Sequence, residues 1–206
     1  MEPKWLEWAR SLQAEAQNGL TFATNEFEIK RYKHIMDIAA EMMASNSDAD
    51  LTFVKDLFKN VEGYATPRVD VRGVVFRENT ILLVKEKSDG GWTLPGGWAD
   101  PNESPSQSVE REVLEESGFE VKAVKVLAVY DRARQGHTPP FPYHVYKLFF
   151  LCQIKGGEKA TSIETTDVDF FDEREIPNLS PARTTLVQIK SFFEHHRSPD
   201  LSTDFD

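Results

Sequence analysis

The sequence predicts an α/β sandwich around a mixed sheet, preceded by a small all-helical segment. Helical apolar patterns fill the first 64 residues, and from Pro67 the apolar period changes from about 3.6 residues to two. Helix signals return among the strands after Ser104 and after Pro181. We therefore expect residues 1–64 to form a helical domain and residues 65–206 to form the α/β domain.

Composition narrows the class of protein. The chain has 206 residues and is 40% hydrophobic, which suffices for a core of normal size. No apolar run approaches the roughly 18 residues that span a bilayer, and the N-terminus lacks the pattern of a secretory signal. The single cysteine, Cys152, excludes an internal disulfide framework, so we expect a cytoplasmic protein with no membrane partner.

The charge of the chain bears on its partners. The formal net charge is −10, whereas nucleic acid binding needs clustered Lys and Arg, so we do not expect a nucleic-acid partner. The negative charge does not exclude small phosphate substrates, because bound cations can invert the local field.

The helical segment divides into three predicted helices. The first spans about Pro3–Gln17 and ends at Asn18-Gly19, and the second spans Asn25–Ser45 with a capping-box-like start. Asp48 or Asp50 caps the third. Three short helices make a poor core alone, so we expect a large apolar surface and a two-fold homodimer that covers it. The apolar residues that suggest this surface are Trp5, Trp8, Phe27, Met42 and Phe58.

Two strands open the α/β domain, at Val69–Phe76 and Ile81–Val84. Arg72 alternates with apolar residues in the first strand. A surface arginine is the default interpretation, and contact with a substrate phosphate is the alternative. Trp98 follows a glycine pair, where packing under the loop and lining a substrate cleft are equally favoured.

The second half continues with strands at Val121–Val129 and Tyr143–Ile154. Between them lies a loop of about a dozen residues without predicted structure, which is typical of lids and binding segments. Its Arg132 and Arg134 are candidate contacts for a diphosphate or terminal group, with plain surface charge as the alternative. A helix is expected from Pro181, and a frayed tail follows.

The acidic stretch Gly96–Phe119 is the feature that carries chemistry. Glu112, Glu115 and Glu116 have the spacing i, i+3 and i+4 on one predicted helix, so their carboxylates should converge on one face. Like charges at i and i+4 destabilise a helix by about 0.2–0.5 kcal/mol per pair. A hard divalent cation with oxygen ligands removes this repulsion. A solvated acidic helix face is the alternative.

Nine residues of this stretch match the motif G-x5-E-x7-R-E-U-x-E-E-x-G-U, where U is bulky and apolar. They are Gly97, Glu103, Arg111, Glu112, Val113, Glu115, Glu116, Gly118 and Phe119. The stretch therefore resembles the Nudix box, which marks hydrolases of nucleoside diphosphates linked to another group. Phe119 departs from the usual aliphatic residue at the last position.

The resemblance implies roles for individual residues. Glu112, Glu115 and Glu116 would bind Mg²⁺, with Mn²⁺ as a substitute, and the carbonyl of Gly97 would help. Glu103 and Arg111 would brace the loop against the helix. The number of metal ions is left open.

The resemblance also implies a further acid from a late loop, acting as an extra metal ligand or as the general base. Glu164 is the first candidate for it, and Asp167 is its nearest rival. Neither can be located from the box itself, because the position of this acid varies in the family.

The implied activity is metal-dependent hydrolysis of a diphosphate bond by a pyrophosphohydrolase. The helical segment resembles an extension found in ADP-ribose and CDP-choline pyrophosphatases, so ADP-ribose is the expected substrate and CDP-choline the alternative. In such an enzyme the N-terminal helices would also help to shape the cleft for the base. A non-catalytic nucleotide-sensing module is an alternative of another class, and hydrolysis at the 3′ end of RNA is a minor one.

Overall fold

The computed structural model describes residues 3–59 and 61–206. The chain divides into two compact units, and the first, helical stretch runs to Pro67. The segment Pro140–His144 groups with the helical unit, which the sequence did not predict. Within that unit, Arg10 donates to the carbonyl of Phe141, and the Tyr143 hydroxyl donates to the carbonyl of Leu57 at 3.4 Å.

The helical unit contains the three expected helices: α1 (Lys4–Phe22), α2 (Glu26–Ser45) and α3 (Leu51–Lys59). Asn25 caps α2 as predicted, since its side chain accepts the N–H of Glu28. Asp50 caps α3 by accepting the N–H of Thr52 at 2.8 Å. The helices share a small apolar cluster of Leu6, Ala9, Ala39, Ala40, Met43, Val54 and Phe58.

Helix α1 continues past the predicted stop at Asn18-Gly19. A Cβ atom on Gly19 would lie 2.2 Å from the ring of Tyr32, so this glycine allows α1 and α2 to pack closely. The side chain of Asn18 accepts the N–H of Ala65 at 2.7 Å. Asn18 and Gly19 therefore lie inside α1 rather than at its end. Gly19 allows close packing of the helices, and Asn18 makes a long-range hydrogen bond.

The helical unit exposes several large apolar side chains. Trp8 and Phe27 are 54% and 76% exposed, in line with expectation, whereas Phe58 is buried at 1% and was wrongly assigned to the surface. Phe22 and Phe53 add exposed area that the sequence did not single out. Trp5 and Met42 are half-buried, so only Trp8 and Phe27 of the expected residues lie on the exposed apolar surface, together with Phe22 and Phe53.

The α/β unit contains eight strands and two α-helices among its described residues. The strands are β1 (Arg68–Arg77), β2 (Thr80–Glu86), β3 (Trp92–Thr93), β4 (Gly96–Trp98), β5 (Phe119–Asp131), β6 (Val145–Gly157), β7 (Thr165–Asp172) and β8 (Asp204–Phe205). The helices are α4 (Pro105–Ser117) and α5 (Leu186–Arg197).

The sheet is mixed, as predicted. Its strand order is β3-β2-β1-β6-β5-β8, with β4 also paired to β1 and β7 to β2. The pairs β1–β6 and β5–β8 are parallel, and the other pairs are antiparallel. Val113 of α4 packs with Val71 on one face, and Phe192 of α5 packs with Phe149 on the other. The α/β sandwich is thus confirmed.

Two elements near the C-terminus differ from prediction. Helix α5 begins at Leu186 rather than Pro181, because Thr185 and Gln188 form a capping box there. The tail is not frayed, since β8 pairs with β5 and the Tyr130 hydroxyl donates to Asp204 at 2.5 Å. Across residues 3–59 and 61–206, no helix is long and apolar enough to cross a membrane.

Candidate active site

A cavity of about 440 Å³ in the α/β unit collects most of the predicted site residues. Its walls come from α4, from β1 and β4, from the end of β2 and from residues 162–164. The charged side chains of its described lining are six carboxylates and three guanidinium groups. They are Glu86, Asp100, Glu112, Glu115, Glu116 and Glu164, together with Arg72, Arg111 and Arg183.

A larger cavity of about 700 Å³ lies in the helical unit. Lys33, Lys55 and Lys59 line it beside apolar side chains, with Asp37 and Glu62 as its carboxylates. The charged side chains of this cavity are therefore mainly basic, whereas those of the 440 Å³ cavity, called the cleft below, are mainly acidic. The concentration of oxygen ligands needed for metal chemistry lies in the α/β unit.

Helix α4 places the acidic residues, and its ends are as the sequence predicts. Ser104 caps the helix in a capping box with Gln107, and Pro105 occupies the first turn. Gly118 ends the helix in the left-handed conformation with φ of 78°, which glycine adopts without strain. Val109 and Val113 on its other side are fully buried and fix the helix on the sheet.

Glu116 and Glu112 are the more deeply placed carboxylates of α4. Glu116 is 6% exposed and accepts the N–H of Gly96 at 2.9 Å. Burial raises the pKa of Glu116 to about 7, although Arg72 and the N–H of Gly96 act in the opposite direction. Burial also raises the pKa of Glu112, whose carboxylate lies against Gly97: a Cβ atom there would be 2.8 Å from its Oε2 atom.

The three carboxylates share one helix face but are not gathered at one point. Arg111 binds Glu112 at 2.8 Å and Glu115 at 3.2 Å, while Glu116 turns to Gly96. In the part of the chain that the structure describes, no group of three or more His, Cys, Asp or Glu side chains lies close enough to hold a metal ion. The expected convergence is therefore incomplete, because each carboxylate takes a donor from the protein.

The donor set still fits a hard divalent cation. Six carboxylates face three guanidinium groups in the described lining, and burial raises the pKa of three of the six, Glu86, Glu112 and Glu116. Oxygen ligands and excess negative charge are what Mg²⁺ requires. Glu112 and Glu115 already line the cleft, where a cation could replace the charge of Arg111 beside them.

Glu103 and Arg111 lie together, as the resemblance implies. The Nε atom of Arg111 is 3.0 Å from Oε1 of Glu103, and Ser108 donates to the other carboxylate oxygen at 2.8 Å. Arg111 also reaches Asp100 at 3.1 Å. The pair thus joins the loop after β4 to the middle of α4.

Arg72 is not the surface residue that its alternation suggests. It is 4% exposed, and its Nε and NH2 atoms donate to Asp70 at 3.0 and 2.8 Å. Its NH1 atom donates to the carbonyl of Leu94 at 3.1 Å. Because Arg72 also lines the cleft, the alternative contact with a substrate phosphate is compatible with its position.

The remaining candidates separate into two groups. Glu164 and Trp98 line the cleft, and Trp98 is 44% exposed there. Asp167 does not line it; its carboxylate pairs with Lys159 at 3.1 Å. The position of Glu164 therefore suits the late-loop acid better than that of its rival.

The loop after β5 carries Arg132 and Arg134, and the structure brings neither to the cleft. It is not structureless, since Arg132–Arg134 form a 3-10 turn. Arg132 is 7% exposed and donates to the carbonyls of Pro139 and Ala182, and Arg134 is exposed near Asp131. Their positions favour structural and surface roles.

Sequence reasoning missed Glu86, Ile163 and Arg183, which line the same cleft. Ile163 is 87% exposed beside Glu164. Glu86 and Arg183 form an ion pair at 2.8 Å although they lie 97 positions apart in the sequence (183 minus 86). No local pattern could have joined them, because the pair depends on how distant segments meet.

The chain is similar to known proteins over both of its units. A family model described as "NUDIX domain" matches residues 66–191, and one described as "UDP-X-like, N-terminal oligomerisation domain" matches residues 3–58. A protein of Bacillus subtilis (strain 168) named "Putative ADP-ribose pyrophosphatase YjhB" is 45% identical over 206 residues, which is 100% of this chain and 99% of the relative.

Solved structures resemble the chain as well. An ADP-ribose pyrophosphatase from Streptococcus suis 89-1591 is 39% identical, covers 68% of this chain and 100% of its own, and has a TM-score of 0.63. A UDP-X diphosphatase is 30% identical, covers 98% of both chains and has a TM-score of 0.64.

Proposed function

Since this chain belongs to the Nudix family of pyrophosphohydrolases, we propose that it hydrolyses the diphosphate bond of ADP-ribose in a reaction that requires Mg²⁺, with Mn²⁺ as a substitute. Water attacks one phosphorus atom of the P–O–P linkage, the bond from that phosphorus to the bridging oxygen breaks, and the other phosphate leaves with the bridging oxygen. The products are AMP and ribose 5-phosphate.

The observation that carries this proposal is the charge of the cleft. Six carboxylates against three guanidinium groups would repel a diphosphate unless cations enter with it. ADP-ribose is favoured over other diphosphates because it appears in the names of two relatives, one matching the whole chain and one matching two thirds of it.

The acidic residues of α4 and of the late loop have proposed roles. Glu112, Glu115, Glu116 and the Gly97 carbonyl would hold the cation, which neutralises phosphate charge and polarises the phosphoryl oxygens when bound. Glu164 would accept the proton of the attacking water.

Two further residues would contact the substrate, and two others would stabilise the loop beside it. Arg72 binds a phosphate oxygen, and Trp98 packs on a ring of the substrate. Glu103 and Arg111 hold the loop after β4 in register with α4.

A UDP-linked compound is the second candidate substrate. The solved UDP-X diphosphatase covers 98% of this chain, including the helical unit, and the family model for that unit is described as UDP-X-like. CDP-choline is retained as a comparison compound.

We further propose that the chain forms a homodimer through its helical unit. The same unit would help to shape the cleft for the base, and the protein would work in the cytoplasm. The exposed Trp8, Phe22, Phe27 and Phe53 and the match to an oligomerisation domain support the first part.

The test is release of monophosphate from ADP-ribose, a UDP-sugar and CDP-choline by the intact chain, with Mg²⁺ or with EDTA. We expect AMP release from ADP-ribose to be fastest and to stop with EDTA. Glu112→Gln serves as the catalytic control. A protein that these compounds protect from melting without any product would instead be a nucleotide-sensing module, and equal rates in EDTA would refute the metal requirement.

A further inference from the structure

Arg183 brings a third guanidinium group to the cleft, from the connection between β7 and α5. Its Nε atom lies 2.8 Å from Oε1 of Glu86. Its NH1 atom donates to the hydroxyl of Ser180 at 3.2 Å and approaches Asp89 at 3.5 Å. Its NH2 atom donates to the hydroxyl of Ser88 at 3.2 Å. The guanidinium plane is therefore fixed on three sides.

Arg183 differs from the other two arginines of the cleft. The side chain of Arg72 is only 5% exposed, and Arg111 commits its nitrogen atoms to the carboxylates of Asp100, Glu103, Glu112 and Glu115. The side chain of Arg183 is 30% exposed, and within the described residues its NH2 group uses one of its two N–H bonds. It can donate to a ligand without leaving Glu86.

We propose that Arg183 is an anion-binding residue of this cleft: its guanidinium group donates to a phosphate oxygen of the substrate, and Glu86 is the residue that positions it. Only the identity of the substrate rests on the proposed function. An arginine that is held before binding loses less conformational entropy when the ligand arrives. Arg183 thus supplies positive charge from a wall other than α4.

Glu86 is suited to this positioning role because it is only 6% exposed at the end of β2. A buried carboxylate needs a partner, and Arg183 lies closest to it. Burial raises the pKa of Glu86, and the charge of Arg183 opposes this rise. The ion pair thus holds the Glu86 carboxylate and the Arg183 guanidinium group in position relative to each other.

A purely structural role is the competing explanation, in which Arg183 joins the segment after β2 to the segment before α5. Backbone hydrogen bonds already make this connection. The N–H of Trp92 donates to the carbonyl of Asn178 at 2.9 Å, and the N–H of Ser180 donates to the carbonyl of Trp92 at 2.8 Å. The ion pair is thus not needed to hold the segments together.

The test measures binding of inorganic pyrophosphate by calorimetry, with Mg²⁺, to the intact chain and to Arg183→Gln, Arg183→Lys and Glu86→Gln. Arg174→Gln is the control, since Arg174 is an exposed arginine on the same connection. We expect Arg183→Gln to weaken binding about ten- to a hundredfold, the factor for one charge-assisted hydrogen bond. Glu86→Gln should weaken it less, and Arg174→Gln should not change it.

Steady-state kinetics with ADP-ribose give a second readout. Arg183→Gln should raise KM by a similar factor and leave kcat within about threefold, because the contact is made in both the ground state and the transition state. Melting curves of all variants show whether they fold.

A folded Arg183→Gln variant with wild-type affinity for pyrophosphate would overturn the proposal, and so would a lowered melting temperature with unchanged affinity. If Arg183→Gln does not fold, Arg183→Lys decides: it keeps the charge but loses the planar fork, and affinity equal to wild type would refute the assignment. A chain that binds pyrophosphate through Arg183 but does not cleave ADP-ribose would support this assignment and refute the proposed substrate.

Discussion

Replacing Asp70 with asparagine should destabilise the α/β unit strongly, because Asp70 is the shared counter-charge of two buried cations. Its Oδ1 atom accepts from Nε of Arg72 at 3.0 Å and from Nζ of Lys147 at 2.6 Å. Its Oδ2 atom accepts from NH2 of Arg72 at 2.8 Å. Asp70, Arg72 and Lys147 are 6%, 4% and 2% exposed. The neutral amide would leave both buried cations without the carboxylate that pairs with them.

The expected loss follows from that geometry. Removing one partner from a buried ion pair costs about 3–5 kcal/mol. For a chain of this size each kcal/mol lowers the melting temperature by about 2–4 °C, so Asp70→Asn should melt about 6–20 °C below wild type. Urea unfolding followed by tryptophan fluorescence gives the free energy directly.

Lys147→Met is the matched control for this prediction. It removes one buried cation, leaves Asp70 paired with Arg72, and fills the space with a chain of similar volume. Asp70 and Arg72 neutralise each other, so Lys147 is an additional buried charge. We therefore expect its removal to change the free energy of unfolding by less than about 1 kcal/mol or to stabilise the protein slightly. Equal losses for Asp70→Asn and Lys147→Met, or a loss below about 1 kcal/mol for Asp70→Asn, would refute the reasoning.

The same cluster predicts a pH dependence. Burial lowers the pKa of Lys147 from 10.5 to about 8, even though Asp70 acts in the opposite direction. Between these values the unfolded chain binds more protons than the folded chain, so the contribution of Lys147 to stability rises with pH. The free energy of unfolding of wild type relative to Lys147→Met should therefore increase across this range, and a flat difference would contradict the shift.

The remaining predictions concern the cleft and the helical unit. Glu112→Gln and Glu116→Gln should each lower kcat by about a hundredfold or more while the protein still folds, whereas the exposed Glu120→Gln should leave kcat unchanged. Glu103→Gln should lower activity and melting temperature together, because it weakens the link between Arg111 and the loop after β4; loss of activity alone would count against bracing. Phe27→Glu should turn a homodimer into monomers by light scattering, and a monomeric wild type would end the dimer proposal.

The parts of this molecule that depend on local pattern could be predicted from its sequence. The spacing of the box identified the family, and capping signals placed α4 from Ser104 to Gly118. The change of period located β1 and β2. In each case the determining residues lie within one continuous stretch of the chain, so their spacing alone carries the information.

Long-range pairing was not predictable in the same way. Arg72 alternates with apolar residues whether it faces solvent or a buried carboxylate, and Lys147 reaches Asp70 only because β1 and β6 are adjacent. One signal was present: Asp70 and Arg72 are two residues apart on a strand and so share a face. Opposite charges at that spacing in an apolar strand favour a buried pair over two surface residues.

Arg72 connects the stability of the fold to the charge of the cleft. Two of its nitrogen atoms donate to Asp70 and the third donates to the carbonyl of Leu94, so these three hydrogen bonds fix its orientation. From that position its charge holds the pKa of Glu116 lower than burial alone would set it. A lysine could supply the charge but not three directional hydrogen bonds in one plane. The geometry therefore explains why this position in β1 carries an arginine: the group must be anchored in the core and still act electrostatically on the acidic helix.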